Sequence, residues 1–106
     1  MPVDDDTAAR SLVFEDFSGK VGHIFVVKDE DVPSVALTLR EAEPLDPKFA
    51  PPGVRPPFSL IFLAPGPQIL PQRIYQMEND SLGSVAIFLV PVGGDAEGVH
   101  YQAVFN

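Results

Sequence analysis

Two histidines, His23 and His100, are the side chains that titrate near neutral pH in a chain of 106 residues that holds no cysteine. A serine hydrolase needs one of them beside a serine and an acid. Yet Ser11, Ser18, Ser34, Ser59, Ser81 and Ser84 all lie outside the G-x-S-x-G turn that exposes a nucleophile. His23 opens an apolar run, and His100 stands between Val99 and Tyr101, where strand alternation turns it outward. Without cysteine there is no thiolate, no disulfide and no thiolate-bound zinc or iron–sulfur centre. Gly93, Gly94 and Gly98 match neither the P-loop nor the dinucleotide fingerprint, and no helix follows them to point its N-terminus at an anion. The same loop carries Asp95 and Glu97, oxygen donors suited to calcium, with Asp4 to Asp6 and Asp29 to Asp31 as further acids. Two carboxylates fall short of the six to eight oxygens that calcium takes, and the spacing is not that of an EF-hand. The sequence therefore reads as non-enzymatic, with no catalytic residue, metal or cofactor expected.

The elements that position these residues are short. In SLVFEDFSGKVG, Ser11 is placed to cap, Glu15 and Asp16 suit a first turn, and Phe14, Phe17 and Val21 recur at helical spacing. From Gly22 the period becomes that of strands. HIFVV is one, and Val35, Leu37 and Leu39, alternating with Ala36, Thr38 and Arg40, are its hairpin partner. Residues 44–57 hold half of the chain's 12 prolines and read as a stiff crossover outside the ladders. FSLIFLA is a strand apolar on both faces. LPQRIYQMEND follows, with Tyr75 and Met77 on one face and Ile74, Gln76 and Glu78 on the other. SVAIFLVPVGG and GVHYQAVFN close the chain as a pair joined across Gly93 to Gly98. About six strands and one short N-terminal helix predict an all-β small antiparallel barrel or sandwich. Residues 1–10 read as an acidic arm and 11–106 as a single β domain.

With 7 Lys and Arg against 15 Asp and Glu, the formal net charge is −8, and the cations are scattered. Nucleic acid and anionic membrane surfaces need clustered positive charge, so neither is an expected partner. No apolar run reaches the roughly 20 residues of a membrane-spanning helix. The N-terminus lacks the basic and apolar regions of a secretory signal, which predicts cytoplasmic synthesis; export in a lysing cell or a phage-like particle needs no signal.

Val85 to Val92 contains neither charge nor hydroxyl. A small barrel covers one face of each strand and often leaves the other wet, so this run predicts either burial against a partner or a second copy, or cover of the second face by the short helix and the proline segment. Pro91, late in a strand, belongs at an edge or bulge. The expected interaction residues are Phe88, Val90, Pro91, Tyr101, Val104 and Phe105, with the terminal strand as a possible edge for β-augmentation. The competing expectation is a small carbohydrate- or peptide-binding module using Arg40, Gln76, His100 and Gln102. Against sugar stacking, the chain has no Trp, and its 8 Phe fall mostly at core positions.

RPPFSLIFLAP, LPQRIYQMEN and LGSVAIFLVPVGGDAEGVHYQAVFN, with the opening VFEDFSGKVGHIFVV, resemble an uncharacterised bacterial family of small domains of unknown function. The resemblance is carried by Pro57-Phe58-Ser59-Leu60, by Phe88 to Gly93 and by the terminal Tyr101-Gln102-Ala103-Val104-Phe105-Asn106. Arg73 departs from the small turn residue more usual there. Genes of this family tend to neighbour those of phage tail-collar-domain fibre proteins. The resemblance thus implies a structural or accessory subunit of a phage-tail-like or surface-fibre assembly, with tail-collar or fibre proteins as suspected partners. It brings no site residue with it.

Overall fold

The period-2 runs become six antiparallel strands: β1 (Ile24–Val27), β2 (Ala36–Pro44), β3 (Phe58–Ala64), β4 (Arg73–Asn79), β5 (Gly83–Asp95) and β6 (Gly98–Phe105). They appear in a computed structural model that describes residues 12–30, 32–45, 56–66 and 69–105. One helical turn, α1 (Glu15–Ser18), precedes them. The strands close into a barrel in the order β1-β2-β3-β6-β5-β4. Closure rests on a short seam, Val26 with Glu78 and Val27 with Met77. Of the expected barrel or sandwich with one short helix, the barrel is what forms.

Bulges let two long strands serve two neighbours each. In β2 the register against β3 shifts between Leu39 and Glu41, making Arg40 the extra residue just past the stretch that pairs with β1. In β5 it shifts between Pro91 and Gly93, so the proline's missing donor falls at a bulge as its position predicted. Two expected boundaries move. β2 continues to Pro44, which pairs with Phe58, so the proline segment begins later. Gly93 and Gly94 are strand residues paired with His100 and Val99, leaving Ala96 and Glu97 as the turn. Ser11, the expected cap, lies outside the described residues; within them the Asp16 carboxylate accepts the Val13 N–H at 2.9 Å.

Alternation fills the interior. Phe25, Val27, Leu37, Leu39, Phe58, Leu60, Phe62, Tyr75, Met77, Val85, Ile87, Leu89, Tyr101 and Ala103 are buried. α1 plugs one end: Phe17 is fully buried, with ring centroids 6.1, 5.8 and 5.7 Å from those of Phe25, Phe58 and Phe105. Beyond β3, two tyrosines tie the segment leading into β4. Tyr101 Oη accepts the Leu70 N–H at 2.8 Å, and Tyr75 Oη donates to the Pro71 carbonyl. With their polar tips satisfied, both rings serve as core.

Candidate functional site

Inward side chains occupy the barrel interior, so accessible chemistry lies on the wall and at the turns. On the wall, β4 and β5 place Ile74 and Phe88 directly opposite one another, both facing outward. They are 59% and 45% exposed, and Val104 on β6, two residues past the Gln102 that pairs with Val90, is 44% exposed. Val85, Ile87 and Leu89 take the inner face of the same strand. A cross-strand apolar pair of this size ordinarily packs on something.

The β5–β6 turn gathers polar groups. Asp95 Oδ1 accepts the Glu97 N–H at 2.9 Å, and its Oδ2 lies 3.1 Å from His100 Nε2. The Glu97 N–H first, then the His100 ring, hold the Asp95 carboxyl below its usual value. Glu97 Oε1 is 3.7 Å from Arg40 Nη1, reached from the β2 bulge. A shallow groove of about 430 Å³ runs beside this tip, lined by Glu41, Ile61, Val92, Gly93, Gly94, Asp95 and His100. A second depression of about 470 Å³, lined by Lys28, Glu78, Asn79, Asp80 and Ser84 among others, lies over β1, β4 and β5.

At β4, Asp29 pairs with Arg73 at 3.4 Å and accepts the Gln76 N–H at 3.0 Å. The Arg73 guanidinium lies 4.7 Å from the Tyr75 ring centroid. Arg73 is thus braced by a carboxylate and an aromatic face. Asp29 is committed to that brace. Asp4 to Asp6 and Asp31 lie outside the described residues.

The residues expected to make contacts fall into two groups. Phe88 and Val104 are exposed, and Val90 and Pro91 are partly so. Tyr101 is fully buried, and Phe105 stacks on Phe58 with centroids 4.6 Å apart. β6 is no edge, because β3 flanks it on one side and β5 on the other. Closure of the ring removes the edge that β-augmentation would use. Ile74 belongs with the exposed group though it is not among the expected contact residues; its signal is the alternation that puts Tyr75 and Met77 inward. Of the ligand-module residues, two meet: Arg40 reaches Glu97 and His100 faces Asp95 at the β5–β6 tip. Gln102 Nε2 instead donates to Ser59 Oγ at 3.2 Å, and Gln76 stands on β4, two strands from β6. His100 faces outward, as strand alternation places it, and its ring meets Asp95; among the described residues no serine hydroxyl bonds it.

Residues 12–105 match a family described as a domain of unknown function, DUF6916. The chain belongs to that family. No curated protein and no solved structure gives a significant match. Many of the residues that carry the resemblance hold the barrel together: Phe58, Leu60, Leu89, Tyr101 and Ala103 are buried, and Phe105 joins the cluster around Phe17. The outer wall and the turn are left to be read on their own chemistry. Among the described residues, no helix is long and apolar enough to cross a membrane.

Proposed function

We propose that this domain is a non-enzymatic structural or accessory subunit that acts through protein–protein contacts made by the outer wall of β4, β5 and β6. The observation that carries the reading is the exposed Ile74–Phe88 pair, extended by Val104. These side chains are turned away from a core that is already filled, so folding does not account for them. In water they cost free energy that burial against another surface recovers, at roughly 25 cal/mol per Å². Association is through the wall, because the closed ring presents no β6 edge. The resemblance noted from the sequence supplies the setting, a phage-tail-like or surface-fibre assembly in which fibre proteins are the partners.

The test is paired capture from the native host with wild-type and Phe88→Asp baits, read by quantitative mass spectrometry, with sedimentation velocity on both purified chains. Wild type is expected to retain a defined partner or self-associate, and Phe88→Asp to lose that association while remaining folded. A wild-type chain that sediments as a monomer and captures the same proteins as Phe88→Asp would overturn the reading.

A further inference from the structure

The tip of the β5–β6 hairpin gathers one imidazole and two carboxylates, a donor set that neither the core nor the contact wall requires. Asp95 ends β5, Glu97 sits in the turn, and His100 is the third residue of β6. One donor atom from each lies within 4.8 Å of the other two. The backbone that carries them is fixed. Gly98 has φ 141°, and a Cβ there would fall 2.1 Å from the Ala64 carbonyl oxygen, so the turn is pressed onto the end of β3. The Glu97 N–H holds Asp95 Oδ1 and leaves Oδ2 facing His100 Nε2.

We propose that Asp95, Glu97 and His100 form a zinc(II) site, with water completing the coordination sphere. Imidazole nitrogen with carboxylate oxygen suits a first-row divalent ion, whereas calcium takes more oxygens than the two carboxylates supply. With metal–ligand bonds of about 2.0–2.2 Å, donors around a tetrahedral zinc sit about 3.4 Å apart. The 3.1 Å between Asp95 and His100 is already near that spacing. Zinc takes the place of the hydrogen bond between them, and the neutral imidazole then carries its proton on Nδ1. Glu97 closes the remaining gap by leaving Arg40; both ends of that ion pair are solvent-exposed, at 42% and 59%, so its loss costs little. Glu41, on the same groove, offsets the positive charge that Arg40 brings near the ion. The Glu97 N–H bond to Asp95 acts as the outer contact that aims a ligating carboxylate.

Isothermal titration of zinc chloride into the tag-free full chain, in a non-coordinating buffer, tests the assignment. The expected result is one ion per chain, a zinc-dependent rise in melting temperature, and a shift of the His100 ring signals in the NMR spectrum of the wild type. His100→Ala and Asp95→Asn are each expected to weaken binding about tenfold or more. Arg40→Ala is expected to strengthen it, and His23→Ala to leave it unchanged. No saturable binding at millimolar zinc would overturn the proposal, as would His100 ring signals that do not move or binding that survives His100→Ala. The ring signals are read on the unaltered chain, so the outcome does not depend on any variant folding.

Discussion

Gly98 answers to backbone angle and packing at once. Its φ of 141° lies where side chains are rarely found, and an added Cβ would also meet Pro65 Cα at 2.8 Å, both backbone contacts that cannot rotate away. Gly98→Ala is expected to destabilise the domain by about 2 kcal/mol or more, measured by urea denaturation; a loss well under 1 kcal/mol would mean that the turn relaxes. Tyr75 gives a second residue-scale expectation. Burial raises its phenol above the ordinary value, with Arg73 opposing the shift. A folded-state pKa above the unfolded one favours the native state fully below about pH 10. That contribution is lost as pH rises through the folded value, because the unfolded chain releases its proton first. Wild type should therefore lose stability at alkaline pH more steeply than Tyr75→Phe. Parallel alkaline melting curves would contradict this.

One helical turn has no stability of its own, so α1 is held by what it buries. Phe17→Ala empties the plug shared with Phe25, Phe58 and Phe105, and is expected to cost about 3–5 kcal/mol by urea denaturation at constant m. A cost below about 1 kcal/mol would show that the cluster closes without it. At this scale the strands could be read from the chain because their inner faces alternate: Tyr75 with Met77, and Val85 with Ile87 and Leu89. Closure could not, since two residue pairs make the seam between β1 and β4, some fifty positions apart in sequence. Gly93 and Gly94 read as loop because glycine disfavours strands, yet the pairing of β5 with β6 carries them. That same shortening of the turn brings His100 to Asp95. A six-residue loop gives the histidine no partner that the sequence reveals, so the three-donor cluster is legible only in the folded turn. The Ile74–Phe88 pair was half visible: β5 showed its excess of apolar residues, but only the register shows which residue of β4 lies opposite.

For the molecule as a whole, a net charge of −8 keeps chains apart while an apolar pair on one wall invites contact. The two are compatible where the contact is specific and local. Phe88→Asp adds a charge at an exposed strand position and is expected to change stability by about 1 kcal/mol or less, so a lost association cannot be assigned to unfolding. Phe17→Ala does the reverse, weakening the fold while leaving the wall chemically intact. The most direct measurement is therefore the association state and partner set of wild type and Phe88→Asp, each confirmed as folded and compared at equal concentration. The contact account predicts an association that wild type makes and Phe88→Asp loses; identical partners and identical sedimentation for the two chains would contradict it.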